Sequence, residues 1–467
     1  MIDRRRRTRD AADRARELTS RCKPGTNVAS KTSAGRSFGA RPAKPVADPV
    51  RVTLAIDAIA AGGDGVGRAD GIAVFVSRTA PGDFVEAMVV KHGRFARGGV
   101  RHVLTASPDR VEPTCHHYVA DDCGGCQLQH LSAPAQLAAK ARIVRDTIFR
   151  IGRRDVELPA IEASPRVWDY RQKLTLTLRR GRESDAWTGG LHRLNEPAEI
   201  FALSECRISL PSLVAAWHDV DRANALLPNG TMLRVTFRQA TGADRVALTV
   251  SGGTEWPDAA VFASRIAGLV ALRWISDSGG RTDIIAPDSS AESTAANFVQ
   301  ANASLAPALH AHVLGEVLAL APARVIDAYA GTGALSLDLA ARNIGVTAIE
   351  WDQSAVAFLH QRLPEGSMVL ASSVEGVIDR ALYQPAVPDV VVLNPPRVGL
   401  HEDVTSALDA QGTTGVRALV YVSCDPATLA RDLTRLPAWR IVSLRCFDMF
   451  PQTAHVETVC VLIPESS

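Results

Sequence analysis

The sequence predicts an α/β chain of several domains. A doubly wound, mainly parallel sheet with one antiparallel edge strand is expected over residues 291–467, a small β-barrel over 48–107, and a small α+β domain between them at 108–290. Three observations predict this. With 467 residues the chain is too long for one core. Its last third alternates short apolar strands with helical periodicity, the pattern of a sheet covered on both faces. Residues 48–107 instead show short alternating strands separated by Gly and Pro-Gly turns, the pattern of a small barrel.

Composition excludes several classes. Hydrophobic residues are 46% and charged residues 22%, which rules out a wholly disordered, collagen-like or disulfide-dense chain. No uninterrupted apolar stretch is long enough for a transmembrane helix. The Arg-rich start lacks an apolar core, so it is not a secretory signal. The 8 cysteines cluster rather than spread. That points to a metal site with reduced thiols, hence the cytoplasm, and a monomer is expected. The net charge of +2 hides an asymmetry: residues 1–47 hold 13 basic and 4 acidic side chains, and the remainder is net acidic. This segment reads as a disordered basic tail, either an arm that tracks phosphates or an unselective extension.

In the second segment, Val50–Ile56 alternates, Ala60–Gly67 is Gly-rich, Gly71–Val76 is β-like, Pro81-Gly82-Asp83 makes a turn, and Phe84–Lys91 is a further strand. The run Gly62-Gly63-Asp64-Gly65-Val66-Gly67-Arg68, with Gly71–Val76 and Ala80-Pro81-Gly82-Asp83, resembles a TRAM domain, an OB-like barrel carried by RNA-modifying enzymes. Lys91, Arg94, Arg97 and Arg101 would add a basic stripe to it.

In the central segment, Pro134–Ile151 has helical spacing, and Leu174–Leu178, Val235–Phe237 and Arg245–Val250 read as strands. Residues 252–257 and 278–290 are turn-rich. Cys115, Cys123 and Cys126, with Cys206 eighty residues later, form a cluster whose Gly124-Gly125 turn lets two thiolates face one centre. Four such ligands could hold zinc or an iron–sulfur cluster.

The last segment runs strand Arg324–Ala328, helix Ala334–Ala341, strand Val346–Glu350, helix Gln353–Arg362, strand Val390–Leu393, strand Ala418–Ser423, helix Ala427–Leu436, then a hairpin of Arg440–Phe447 and Val456–Ile463. Ligands of such sheets bind beyond the carboxyl ends of the parallel strands. Four strand ends there are unusual. The first leads into Tyr329-Ala330-Gly331-Thr332-Gly333, where glycines permit a sharp turn and close approach to a ligand. The next ends in Glu350, placed to accept both ribose hydroxyls of a nucleoside. The third leads into Asn394-Pro395-Pro396-Arg397, a rigid loop. The fourth leads into Cys424, just ahead of a helix, where an exposed sulfur of lowered pKa is expected. Glu457 starts the final apolar strand, where an unpaired carboxylate is costly unless it has a function.

The strand–GxG–helix–strand–Glu arrangement resembles class I methyltransferases. Tyr421-Val422-Ser423-Cys424-Asp425-Pro426-Ala427-Thr428-Leu429-Ala430-Arg431-Asp432 and Asp448-Met449-Phe450-Pro451-Gln452-Thr453-Ala454-His455-Val456-Glu457 closely resemble the RNA uracil-5 methyltransferase family, as do Asn297-Phe298-Val299-Gln300-Ala301-Asn302 and the loop at Arg397. The resemblance implies Cys424 as nucleophile and Glu457 as base. It implies S-adenosylmethionine contacts from Gln300, Tyr329, Glu350 and Asn394, and RNA as substrate. Cys123-Gly124-Gly125-Cys126-Gln127 resembles the [4Fe–4S] site of the ribosomal RNA branch, although the first spacing is longer than that branch's. Ribosomal RNA is therefore the favoured substrate. Transfer RNA, or an inactive RNA-binding or chaperone protein, are the competing readings.

Overall fold

A computed structural model describes residues 48–465 except 182–185, 243, 287–299, 384–385 and 412–414. The basic tail, Cys22 and residues 297–299 lie outside the described residues.

Strands β1 (Val50–Ile59), β2 (Gly65–Ala69), β3 (Ile72–Ser77), β4 (Phe84–His92) and β5 (Phe95–Thr105) form a closed barrel in the order β1-β2-β3-β5-β4. Alternation explains its core, because every second residue points inward: Leu54, Ile56, Val74, Val76, Val85, Ala87, Val89 and Ala96 pack together. The turn at Pro81-Gly82-Asp83 is fixed by a buried carboxylate. Asp83 accepts from Ala80 N at 2.7 Å and Ser107 N at 2.8 Å and pairs with Arg110 at 2.6 Å. Two cations of the expected basic stripe are engaged within the barrel, Arg97 with Asp64 at 3.1 Å and Lys91 with Asp70 at 3.9 Å.

The helical spacing after Ser132 yields an α-helix at Ala133–Thr147 that continues as a π turn over Ile148–Gly152 and ends at Arg153, whose φ is 53°. A short strand, β6 (Ala160–Glu162), follows. Then β7 (Lys173–Arg180), β8 (Trp187–His192), β9 (Ile200–Ala202), β10 (Met232–Gln239), β11 (Val246–Ser251), β12 (Leu269–Ile275) and β13 (Arg281–Ile285) make a sheet ordered β13-β12-β11-β10-β7-β8-β9. Its inner face carries Leu174, Leu176, Leu178, Leu233, Val235 and Phe237, in one cluster with residues of helices Pro211–Arg222 and Ala259–Ser264. β13 falls in a stretch the sequence marks only as turns. It is short and mostly exposed, so no alternation of polarity announces it.

The third sheet contains β14 (Arg324–Ala328), β15 (Gly345–Glu350), β16 (Met368–Ala371), β17 (Val390–Leu393), β18 (Ala418–Ser423), β19 (Trp439–Phe447) and β20 (Glu457–Pro464), ordered β16-β15-β14-β17-β18-β20-β19-β6. The first five are parallel, and β20 runs antiparallel to both β18 and β19. The antiparallel strand is therefore inside the sheet, not at its edge as expected. The hairpin places β19 outside β20, and β19 then recruits β6. The parallel strands are apolar throughout because both faces are covered. Ile326, Ala328, Val391 and Leu393 belong to one core cluster, and Val325, Val390 and Val392 to another. Cys446 and Cys460 are fully buried in this core. Among the described residues no helix is long and apolar enough to cross a membrane.

Candidate active site

The carboxyl ends of β14 and β15 build a cavity of about 410 Å³. The turn after β14 needs left-handed backbone at Tyr329, Gly331 and Gly333, with φ of 63°, 57° and 75°. At Gly333 a Cβ would lie 2.0 Å from Leu359 Cδ2, so no other residue fits there. Below the turn, Asp327 is buried and receives Ser336 Oγ at 2.6 Å; burial lifts its pKa to about 6.

Glu350 is only 8% exposed and is held by backbone donors. Oε2 accepts from Gly331 N at 2.8 Å, and Oε1 from Trp351 N at 2.9 Å and Asp352 N at 2.8 Å. A carboxylate has about four acceptor positions, so one remains, on Oε2. The sequence reading had it accepting two ribose hydroxyls; in this arrangement it has room for one.

Tyr329 and Glu350 line the cavity together with Trp351, Ser372, Ser373 and Val398. Gln300 and Asn394 are not among the lining residues. Asn394 follows β17, one strand over, and the Gln300 carbonyl accepts from Gln172 Nε2 at 3.4 Å. Trp351, Ser372 and Ser373 are not among the site residues expected from the sequence. The signal available for Trp351 is its place next to the strand-end carboxylate.

At the other side of the sheet, β18 delivers Cys424. Asp425 caps the helix Pro426–Thr434, accepting from Ala427 N at 2.8 Å and Thr428 N at 3.1 Å. The register Ser423↔Thr458 sets Cys424 beside Glu457, the first residue of β20. Glu457 is 4% exposed and accepts no hydrogen bond among the described residues. Burial lifts its pKa to about 7, opposed by the nearby Arg397 guanidinium.

The same burial pushes the Cys424 thiol up to about 11, with the Glu457 charge adding to the rise and Arg397 opposing it. This corrects the expectation of a lowered thiol pKa. Asp425, the helix cap, is itself an anion and also raises it. His455, beside the pair, is held neutral by burial and by Arg397, with a pKa of about 4.

The loop bearing Arg397 is shaped by Asp432, which is fully buried. Its Oδ2 accepts from Leu400 N at 2.8 Å and Tyr421 Oη at 2.8 Å. Gly399, at φ 77°, passes so close that a Cβ would lie 2.5 Å from that carboxylate.

Cys115, Cys123, Cys126 and Cys206 all line one cavity of about 190 Å³. Gly125 N donates to Cys123 Sγ at 3.4 Å and Ser209 Oγ to Cys206 Sγ at 3.3 Å. Burial raises the Cys123 thiol to about 11 and the Cys126 thiol further. Among the described residues no three His, Cys, Asp or Glu side chains are arranged around a single ion.

The glycine turn, the strand-end carboxylate and the parallel sheet define a methyltransferase fold. The crystal structure of Pyrococcus abyssi tRNA (uracil-54, C5)-methyltransferase in complex with S-adenosyl-L-homocysteine has this fold, with a TM-score of 0.62, 22% identity, and coverage of 88% of this chain and 100% of that one. A family model described as tRNA (Uracil-5-)-methyltransferase matches residues 378–465, a span that includes Cys424 and Glu457. An RNA methyltransferase of Gloeobacter violaceus is 33% identical over 88% of this chain and 96% of its own. The 23S rRNA (uracil(1939)-C(5))-methyltransferase of Thiobacillus denitrificans is 30% identical over 85% and 96%. The chain belongs to the RNA uracil-5 methyltransferase family, and it is an RNA methyltransferase.

Proposed function

We propose that this enzyme transfers a methyl group from S-adenosylmethionine to C5 of a uridine in RNA, with 23S ribosomal RNA as the substrate. The observation that carries the reading is the pair of half-buried Cys424 and buried Glu457, facing Arg397 at the strand ends. The cofactor belongs in the 410 Å³ cavity of a class I methyltransferase domain, with Tyr329 and Glu350 on its wall. When bound, it supplies an electrophilic methyl group.

C5 of uracil is a weak nucleophile. Cys424 gives its proton to solvent as its sulfur bonds to C6; the C5–C6 double bond opens toward O4, which leaves C5 enolate-like and able to take the methyl group. Glu457 then removes the C5 proton, the C5–C6 double bond re-forms, and the sulfur leaves. With a pKa near 7, Glu457 suits a base working at neutral pH. The uridine has to leave its stack to reach this corner.

Cations support RNA as the substrate. Lys173 has its pKa lowered by burial and by Arg238, Arg234, Arg171 and Arg397 around it, so five positive side chains crowd between the open face of the central sheet and the catalytic corner. On the barrel, which we assign as a TRAM domain, His92 stacks on Phe95 at 5.3 Å and Phe95 meets Phe75 edge-on at 5.8 Å. Such exposed rings suit unpaired bases.

We assign a [4Fe–4S] cluster to the four cysteines, which line one cavity and offer four thiolate ligands. The cluster would cross-link three separate segments. The seven described cysteines are all unpaired, which supports a reducing, cytoplasmic setting.

The test is to incubate enzyme and cofactor with unmodified ribosomal and transfer RNA separately, then digest and map. 5-Methyluridine in 23S RNA is expected; product only in transfer RNA would move the substrate, and a different methylated nucleoside would overturn the chemistry. Protein purified without oxygen is expected to contain iron and sulfide, and zinc alone would overturn the cluster.

A further inference from the structure

The loop between β19 and β20, residues 448–456, delivers Glu457 yet has no regular structure. Asp448, Met449, Phe450, Gln452, Thr453 and Ala454 in it are nevertheless buried. At its centre Gln452 holds φ at 70°, a region unfavourable for a residue with a Cβ. Such a conformation persists only where the surroundings over-determine it.

Here the surroundings are 316 residues away in sequence. Gln136 Nε2 donates to Gln452 Oε1 at 2.9 Å, and the Gln452 backbone N–H donates back to Gln136 Oε1 at 2.9 Å. The Gln452 carbonyl accepts from Gln127 N at 3.1 Å and Leu128 N at 2.9 Å. Ala454 N donates to Gln127 Oε1 at 3.3 Å, while Gln127 Nε2 donates to Gly124 O at 2.6 Å, inside the cysteine turn.

One turn along the helix, the fully buried Lys140 pairs with Asp448 and donates to Phe450 O at 2.9 Å. The barrel closes on the same point. Gly63, at φ 91°, leaves no room for a Cβ, which would lie 2.5 Å from Gln127 Cβ and 3.3 Å from Ala454 Cβ.

Glu457 itself gains no hydrogen bond from a described residue, and the hairpin pairing stops at Phe447↔Glu457. Its carboxylate is therefore placed by how the strand emerges from this loop. We propose that Gln127, Gln136 and Lys140 are positioning residues that clamp the loop and aim Glu457 at the C5 proton, so that the cysteine turn and the catalytic base move as one unit. This rests on the reading of Glu457 as the base.

A loosened clamp affects one step most. Cys424 follows β18, outside the clamped loop, so addition to C6 and methyl transfer proceed. Removal of the C5 proton slows, and with it expulsion of the sulfur. Small misplacements of a reacting group cost about 10- to 100-fold.

The experiment compares wild type, Glu457→Gln, Gln136→Met and Gln127→Met in the full chain, using the RNA that proves to be methylated. It follows the first turnover of labelled methyl, steady-state turnover, and RNA retained by protein on a denaturing gel. Methionine keeps the side-chain length and removes the hydrogen bonds. Glu457→Gln is expected to accumulate the covalent complex. Gln136→Met and Gln127→Met are expected to accumulate the same complex, with an unchanged first methyl transfer and turnover lowered about 10- to 100-fold.

A second readout separates aim from stability. A Glu457 let out toward water loses part of the desolvation that raises its pKa, so the acid limb of the pH profile moves to lower pH in both glutamine variants. A complex in Glu457→Gln but in neither glutamine variant overturns the clamp alone. Slow first methyl transfer without complex also overturns it. No complex even in Glu457→Gln overturns the base assignment, and the clamp's function with it. Should Gln136→Met fail to fold, Gln127→Met decides.

Discussion

At the parallel end of the large sheet, the Glu350 carboxylate is held by three backbone N–H groups; at the hairpin end, Glu457 is equally buried and its carboxylate receives none from the described residues. Both are strand-end glutamates beside a cavity or cleft. The difference lies in the backbone that follows. After β15 the chain turns at once, so the backbone N–H groups of Trp351 and Asp352, ahead of the helix Gln353–Arg362, point back at the carboxylate, and Gly331 N reaches it from the turn after β14. Glu457 instead opens a strand whose N–H groups are committed to neighbouring strands. A carboxylate with donors is a fixed anion suited to binding. One without donors keeps a high proton affinity and can exchange a proton near neutral pH.

The largest effect expected from testing this contrast is at the partner of Glu457. Cys424→Ala removes the nucleophile and should lower methyl transfer by roughly four orders of magnitude or more. Cofactor affinity should be unchanged, because Cys424 does not line the cofactor cavity. Single-turnover rates and calorimetric titration with S-adenosylhomocysteine measure the two sides. Substantial residual transfer would mean that the hairpin end is not the reactive one.

At the parallel end, Glu350→Gln places an amide N–H₂ against backbone N–H donors. The fold should lose about 1–3 kcal/mol, because a buried donor is left unpaired. Cofactor affinity should fall about 10-fold with it, by loss of the remaining acceptor on Oε2. Urea unfolding and the same titration measure both.

Much of this is legible in the amino-acid sequence. The parallel strands announced themselves as short apolar runs because both faces are covered, and Cys424 and Glu457 because polar, reactive residues at apolar strand ends demand a reason. What could not be read was whatever depends on three-dimensional neighbours. Nothing in the sequence says that Glu350 already serves three donors, or that Gln136 meets Gln452. The thiol was expected to be acidic from its place ahead of a helix. Burial reverses this, and the charges of Glu457 and Asp425 add to the rise while Arg397 opposes it. β6, three residues long, is too short to carry a pattern and exists only because β19 offers it an edge.

The same substitution at the other glutamate should act with the opposite sign. The pKa of Glu457 is raised from 4.5 to about 7 on folding. Below pH 4.5 the group is neutral in both states and costs nothing. Between pH 4.5 and about 7 the unfolded state gives up its proton while the folded state keeps it, so folding grows costlier; above 7 the folded state buries the charge and the cost is fully present. Glu457→Gln should therefore match wild-type stability at pH 4.5 and exceed it at pH 8, by about 1–3 kcal/mol. Equal stability at both pH values would show that Glu457 is solvated, and the contrast with Glu350 would collapse.

The smallest effect expected is on the pH profile. Arg397 is the cation that opposes the rise in both Cys424 and Glu457. Its loop is shaped by Asp432 through Leu400 N and by Gly399, so Arg397→Met should remove charge without moving the loop. The other charged neighbour of the thiol is Asp425, which acts in the opposite direction, and His455 is neutral above about pH 4. Without the guanidinium both proton affinities rise. The acid limb of kcat at saturating RNA should move to higher pH, lowering activity at pH 7 by less than about tenfold and restoring much of it at pH 9. Working at saturation separates this from weaker RNA binding, which would appear in KM. Arg397→Lys, which keeps a positive charge, should leave the limb nearly in place. A limb that stays fixed in Arg397→Met would mean that the cation does not act on the pair, and the raised affinity of Glu457 would then be set by burial alone.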